Sequence, residues 1–138
     1  MNRQELQDLL PHRDPMLLVD STRMDADGTG HGFYRIPDDP FYCHGHFPGN
    51  PIVPGVILCE IMAQSCCQLF PSIFEDHLVL YRGMDDVKFR GTVKPGDECE
   101  VICHLLDRKG ILFLCDAVLT VGGKRCAQAR FTLAATPK

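Results

Sequence analysis

His46 and Glu60 are the two side chains of this sequence whose types and surroundings best suit chemistry. His46 lies in the Gly/Pro-dense turn 45–49, GHFPG, and Glu60 is the only charge in the run 56–64, VILCEIMAQ. A histidine exchanges protons near neutral pH, and a carboxylate in an apolar run has to be paired, hydrogen-bonded or protonated. Together the two residues indicate proton transfer.

The segment between them predicts a helix start that could hold negative charge. Pro54 and Gly55 favour a helix beginning there, and Pro71 requires that helix to end before it. Its residues are apolar except for a narrow polar stripe that includes Glu60, so we expect a buried helix. The first N–H groups of a helix lack partners within it, and Gly55 offers one of them to an enolate oxygen. A base, an acid and an oxyanion donor predict removal of a proton next to a carbonyl.

Both residues also have an ordinary structural interpretation. A histidine beside a Phe-Pro-Gly sequence can be a turn residue, as His46 would be here. Glu60 could be a buried carboxylate that neighbouring backbone N–H groups or an arginine satisfy. These alternatives remain open on the residues alone.

Three separated blocks of the sequence resemble one enzyme family, the β-hydroxyacyl-acyl carrier protein dehydratases of the FabZ type. The blocks are 10–20, LPHRDPMLLVD; 45–64, which contains both candidate residues; and 87–97, VKFRGTVKPGD. The resemblance implies dehydration of a (3R)-hydroxyacyl-acyl carrier protein to the trans-2-enoyl form in fatty acid biosynthesis, without a cofactor. It also implies that His46 and Glu60 are catalytic and that the Gly55 N–H polarises the thioester carbonyl. The residues of the motif turn or substrate tunnel would be Phe47, Pro48, Gly49 and Pro54.

The sequence departs from the family pattern at a few positions. Asp14 and Met16 stand where aromatic residues are common, away from the chemistry. The isomerising branch of the family carries an aspartate where this chain has Glu60, which favours plain dehydration. The resemblance implies an aromatic gate of the acyl tunnel on the strand before the block 87–97, near Tyr81, but the sequence predicts no acyl chain length.

The resemblance implies the hot-dog fold, of the α+β class, with an antiparallel sheet wrapped around one long buried helix. The hydrophobic patterns agree with this, since they predict a short first helix, the long helix and about six strands. Glycines at 110 and at 122–123 predict hairpins, so the last three strands should form a meander. No linker or repeat divides residues 1–138, which we expect to be a single domain. The predicted first helix spans 3–10, and the predicted strands span 16–23, 32–36, 78–84, 98–106, 111–121 and 124–134.

Cysteine usage bears on the compartment. Eight cysteines would suit a secreted disulfide protein, but the first residues lack a signal-peptide core and no run is long enough to cross a membrane. We therefore expect reduced cysteines, packed as small apolar side chains, and a cytoplasmic protein without a membrane partner. Cys43, His44 and His46 lie close in sequence, but no C-x-x-C pair accompanies them, so no metal site is expected.

The charge distribution bears on partners. A net charge of −4 argues against binding of nucleic acid by the whole surface. Lys88, Arg90 and Lys94 form a local basic group that could dock an acidic acyl carrier protein, although it could also be an ordinary solvated strand edge. The resemblance further implies a homodimer in which His46 of one subunit faces Glu60 of the other, with assembly into a trimer of dimers left open.

Two other classes of function remain open on the sequence. A hot-dog acyl thioesterase would also use a carboxylate near a helix N-terminus. A catalytically silent subunit that binds acyl carrier protein would be expected to lack His46 or Glu60, and both are present.

Overall fold

Two α-helices and six strands make up most of the regular structure. In the computed structural model, which describes residues 1–138, every strand pair is antiparallel. The elements are α1 (Arg3–Leu9), β1 (Ser21–Met24), β2 (Gly30–Arg35), α2 (Gly55–Cys66), β3 (His77–Phe89), β4 (Glu98–Lys109), β5 (Leu112–Val121) and β6 (Lys124–Pro137).

The six strands form one sheet in the order β1-β2-β4-β5-β6-β3, and α2 packs against β2, β4, β5 and β6. Eight of the 12 residues of α2 are buried, as its apolar sequence predicts. The helix starts at Gly55, continues as a 3₁₀ turn to Leu69 and ends before Pro71. The predicted α+β hot-dog architecture is confirmed.

The predicted meander of the last three strands is also confirmed. β4 pairs with β5, and β5 pairs with β6. Gly122 and Gly123, which join β5 to β6, have φ angles of +58° and +80°. A two-residue hairpin turn of this kind needs positive φ at both positions, which glycine adopts without strain.

The predicted strand 16–23 is wrong over its first half. The segment before β1 makes no strand, because its backbone pairs with a helix side chain instead. The Leu18 N–H donates to Gln64 Oε1 at 2.8 Å, and the Met16 carbonyl accepts from Gln64 Nε2 at 2.9 Å. Leu17, Leu18 and Val19 are all buried, whereas a strand with one exposed face would alternate.

Helix α2 lies unusually close to β2. A Cβ atom added at Gly32 would lie 2.2 Å from Ser65 Oγ and 2.6 Å from Ser65 Cβ. Glycine at this position therefore allows the helix to touch the strand backbone directly.

Strand β3 is the long edge of the sheet. It extends to Phe89, past the predicted end at 84, and pairs only with β6. Its pairing with β6 shifts between Tyr81 and Gly83 and again between Asp85 and Lys88. Such irregularities bend a strand and redirect its side chains.

All eight cysteines are buried and none forms a disulfide. This confirms that they serve as packing residues. None of the helices has the length and apolar character needed to cross a membrane.

Candidate active site

A tight turn holds His46. Phe47 and Asn50 exchange backbone hydrogen bonds of 3.2 and 3.0 Å, and the Ile52 N–H donates to the His46 carbonyl at 2.8 Å. Within the turn Gly49 has a φ of +75°, which residues with a side chain rarely adopt. The Gly/Pro-dense sequence therefore folds the chain back and fixes the backbone of His46.

One hydrogen bond and one stacking contact orient the His46 ring. Nδ1 lies 3.0 Å from the Ile52 carbonyl oxygen. Because a carbonyl only accepts, Nδ1 carries the hydrogen. The ring stacks on Phe47 with centroids 4.2 Å apart. In the neutral ring Nε2 therefore keeps its lone pair and can accept a proton.

Glu60 on α2 is surrounded by side-chain donors. Gln64 Nε2 lies 2.8 Å from its Oε2, and the Tyr81 hydroxyl lies 2.5 Å from its Oε1. His12 Nε2 lies 3.5 Å from Oε2, and the Glu60 side chain is 19% exposed. The expectation that this carboxylate is hydrogen-bonded is confirmed, and its partners are side chains rather than backbone groups or an arginine.

The orientation of Gln64 is determined by its other partners. Its Oε1 accepts from the Leu18 N–H, and its Nε2 donates to both the Met16 carbonyl and Glu60 Oε2. If the amide were reversed, its Nε2 would face the Leu18 N–H, and two donors would oppose each other. The amide can therefore form all of its hydrogen bonds in only one orientation. An N–H therefore always faces Glu60 Oε2.

A cavity of about 150 Å³ opens beside Glu60. Its wall is mostly apolar, and its polar groups come from His12, Glu60, Gln64 and Tyr81. The Nδ1 atom of His12 is buried without a hydrogen-bond partner. A larger cavity of about 460 Å³ on the sheet contains none of the predicted site residues. The smaller cavity is therefore the one with groups suited to the expected chemistry.

Within one chain, His46 does not line the cavity that Glu60 lines. The imidazole is bonded to its own loop, and the carboxylate faces β3. A single chain thus supplies both predicted catalytic side chains without bringing them together in one cavity.

The start of α2 carries free N–H groups. Neither the Gly55 nor the Val56 N–H has a hydrogen-bond partner, as expected at the first turn of a helix. A Cβ atom added at Gly55 would lie 2.8 Å from Phe89 Cζ. Glycine at this position therefore lets the aromatic ring at the end of β3 lie against the helix start.

The remaining residues of the motif lie at the surface. Phe47, Pro48 and Gly49 are exposed and border a depression of about 240 Å³, separate from the Glu60 cavity. Pro54 precedes α2 with φ −58° and ψ 144°. These residues form the turn that leads into the helix, and their part in a substrate tunnel stays a prediction.

The basic residues Lys88, Arg90 and Lys94 are exposed. Lys88 Nζ lies 3.5 Å from Asp86 Oδ1, and Arg90 Nη2 lies 3.4 Å from Gln128 Oε1. No group of three or more His, Cys, Asp or Glu side chains is arranged to hold a metal ion.

Comparison with known proteins shows the family of this chain. The family model described as ApeI-like, ApeI dehydratase, matches residues 24–129. The 3-hydroxyacyl-[acyl-carrier-protein] dehydratase FabZ of Streptococcus equi subsp. zooepidemicus is 37% identical over 137 residues, 97% of each chain. The enzyme of the same name from Streptococcus pneumoniae is 38% identical over 134 residues, 95% of each chain. The chain belongs to the FabZ and ApeI-like dehydratase family.

Solved structures agree with this dehydratase family on the fold. The dehydratase heterocomplex ApeI:P from Xenorhabdus doucetiae superposes with a TM-score of 0.80, at 18% identity, over 96% of this chain and 91% of that one. A hypothetical thioesterase with coenzyme A from Streptococcus pneumoniae gives a TM-score of 0.66 at 12% identity, over 98% and 97% of the two chains. At such identities the likeness establishes the architecture alone.

Sequence reasoning missed two side chains that lie next to Glu60. His12 was recognised only as part of the N-terminal block, and Tyr81 only as an aromatic near a tunnel gate. Both contact Glu60. The contact of Gln64 with Glu60 could have been predicted from the sequence, because residues four apart on a helix lie side by side. The contacts of His12 and Tyr81 depend on tertiary packing and have no such local signal.

Proposed function

We propose that the chain dehydrates a (3R)-hydroxyacyl thioester, carried on acyl carrier protein, to the trans-2-enoyl thioester in fatty acid biosynthesis. The observation that supports this best is the state of the two candidate side chains. His46 has a ring nitrogen free to accept a proton, and Glu60 is a fixed carboxylate in a mostly apolar cavity. FabZ relatives at 37–38% identity are named 3-hydroxyacyl-[acyl-carrier-protein] dehydratases.

The chemistry follows from the role of each group. His46 Nε2 removes a proton from C2 of the acyl chain, next to the thioester carbonyl. The free N–H of Gly55 stabilises the negative charge that develops on the carbonyl oxygen. The C3–OH bond breaks as Glu60 provides a proton, directly or through another group, so that water leaves. No cofactor takes part in these steps.

The active form in this proposal is a homodimer with two composite sites. The long edge β3 carries exposed apolar side chains and has a free row of backbone groups, which favours pairing with a second chain. Pairing there would let His46 of one subunit face the Glu60 cavity of the other. Assembly of these dimers into a trimer is left open. The exposed apolar residues of β3 are Leu78, Leu80, Tyr81, Met84, Val87 and Phe89.

Docking of the carrier protein is assigned to the basic group at the end of β3. Lys88, Arg90 and Lys94 are exposed, and an acidic carrier would be attracted to them. Asp86 beside Lys88 partly offsets this charge. We place the protein in the cytoplasm, where its eight unpaired cysteines would stay reduced.

The test of this function is conversion of a (3R)-hydroxyacyl-acyl carrier protein to the trans-2-enoyl form, followed by mass spectrometry. The unmodified chain should form the enoyl product, and His46→Ala should lose roughly 10² to 10⁴ in rate while its unfolding curve stays native. Glu60→Gln should still bind the substrate but turn over slowly. Hydrolysis of saturated acyl thioesters without dehydration would instead identify a thioesterase.

A further inference from the structure

The two oxygens of Glu60 have different neighbours. Oε2 accepts from the Gln64 N–H at 2.8 Å, and His12 Nε2 lies 3.5 Å from it. Oε1 faces only the Tyr81 hydroxyl, at 2.5 Å. Because the Gln64 amide has one satisfied orientation, Oε2 always accepts from its N–H, whereas the Oε1 contact is with a hydroxyl group that can either donate or accept. This arrangement favours Oε1 as the oxygen that carries the proton when Glu60 is protonated.

A hydroxyl group suits this place because it can reverse its role. Tyr81 donates to Oε1 when Glu60 is ionised, and it can accept from Oε1 when Glu60 is protonated. In the second state the hydroxyl hydrogen of Tyr81 is released from Glu60 and can point elsewhere. Any proton that leaves Glu60 by the shortest route passes to the Tyr81 oxygen.

The Tyr81 ring is held where such a transfer could serve the substrate. The tyrosine lies at the first irregularity of the β3–β6 pairing, and its ring contacts the buried Phe131 with centroids 6.1 Å apart. Its side chain lines the same cavity of about 150 Å³ as Glu60. Leu80 and Val79 continue the wall of this cavity along β3.

We propose that Tyr81 is a further catalytic residue, which relays the proton of Glu60 to the departing hydroxyl group of the substrate. The proposal rests on the proposed dehydration. As the C3–O bond breaks, the Tyr81 O–H proton moves to the leaving oxygen and the Glu60 proton moves to the Tyr81 oxygen. Water leaves, Tyr81 ends neutral, Glu60 ends ionised, and His46 holds the proton taken from C2. Return of that proton through water restores the site.

The environment of Tyr81 favours a relay over an independent acid. Tyr81 is 46% exposed, yet its partial burial and then its hydrogen bond to Glu60 raise the pKa of Tyr81 above its usual range. A lone tyrosinate would be costly in this place. Both protons should therefore move in one step, so that Tyr81 is never charged.

The first arm of the test compares leaving groups. Tyr81→Phe keeps the ring and its packing but removes the hydroxyl. On a (3R)-hydroxyacyl-acyl carrier protein we expect turnover to fall about 10²-fold with little change in KM. On the matching (3R)-3-fluoroacyl substrate the variant should stay close to the unmodified chain, because fluoride leaves without needing a proton. Glu60→Gln should behave like Tyr81→Phe, whereas His46→Ala should fail on both substrates.

The second arm uses the unmodified chain and separates a relay from simple positioning of Glu60. Single-turnover rates in mixtures of H₂O and D₂O should depend on the deuterium fraction along a curve, because two exchangeable protons move together. A straight line would mean that one proton moves and that Tyr81 only holds Glu60. The relay is also overturned if Tyr81→Phe keeps more than about a tenth of the turnover, or if it loses both substrates equally. If the unmodified chain does not convert the hydroxyacyl substrate to the enoyl form, the proposed function itself fails.

Discussion

At the scale of single residues, Glu60 shows how a carboxylate can be built into an apolar helix. Its two oxygens are satisfied by side chains from α2, from the N-terminal segment and from β3. The polar stripe of the helix was visible in the sequence, since Gln64 follows Glu60 by four residues. The Tyr81 contact was not, because it joins residues 21 apart on two different elements.

Gly55 offers a direct test of the oxyanion donor. Its φ is not positive and the preceding Pro54 has a ψ of 144°, so proline can be accommodated at this position. Gly55→Pro removes the N–H, and we expect a folded protein whose turnover is lower by roughly 10² to 10³ than that of Gly55→Ala. Turnover measured for both variants on the same hydroxyacyl substrate gives the comparison.

Gly55→Ala is the matched control because both variants carry a Cβ atom. That atom would meet Phe89 Cζ at 2.8 Å and displace the ring in each case. The difference between the variants then reflects the N–H and the proline ring alone. Equal turnover in the two would place the oxyanion elsewhere.

At the scale of elements, the close contact of α2 with β2 should limit what position 32 accepts. Gly32→Ala would press its methyl group into Ser65, whose Oγ and Cβ would lie 2.2 and 2.6 Å away. Overpacking of this kind typically lowers the free energy of unfolding by about 1–3 kcal/mol. Urea unfolding at fixed protein concentration measures the change.

The double variant Gly32→Ala/Ser65→Gly tests the cause. Removing the Ser65 side chain should relieve the clash, so the double variant should lose less stability than the two single variants added together. Additive losses would mean that the strand and helix accommodate the methyl group by another route.

The pairing of β2 with β4 should depend on pH through His31. Its Nδ1 lies 2.9 Å from Glu100 Oε2 and its Nε2 lies 2.8 Å from Asp25 Oδ2. The bond to Glu100 and then the bond to Asp25 raise the pKa of His31 above 6.5, against the opposing effects of burial and, to a smaller extent, of Arg23. Protonated His31 therefore stabilises the fold, and the full effect is present at pH values below the ordinary histidine pKa. This stabilisation is lost as the pH rises through the raised pKa of His31.

We therefore expect His31→Gln to lose more stability at pH 6 than at pH 9. Because Asp25 and Glu100 are 43% and 40% exposed, the difference should be on the order of 1 kcal/mol. Urea unfolding of both proteins at the two pH values measures it. An equal loss at both values would show that the histidine acts through packing rather than charge.

The elements differ in how well the sequence predicts them, for physical reasons. Helix α2 and the meander were predicted because apolar patterns, prolines and paired glycines act locally. The segment 16–20 was predicted as a strand because its residues suit one. Its backbone instead bonds to Gln64, and the Leu18 contact joins residues 46 apart. A partner so distant in sequence cannot be predicted from the local pattern of residues.

At the scale of the whole molecule, the two candidate catalytic side chains lie apart, and β3 forms one of the two edges of the sheet. His46 and the Glu60 cavity lie apart within a chain, and the long edge β3 carries several exposed apolar side chains. The family resemblance predicted both a dimer and a site shared between subunits. Both stay predictions, as does the assignment of residues 1–138 to a single domain.

Mixing two inactive variants tests the composite site most directly. His46→Ala and Glu60→Gln chains are each expected to be nearly inactive, and random exchange of subunits makes half of the dimers mixed. Each mixed dimer carries one site with both residues intact, so dehydration of the hydroxyacyl substrate should return to about a quarter of the unmodified rate. No recovery, after exchange of subunits has been verified, would contradict a site built from His46 of one chain and Glu60 of the other.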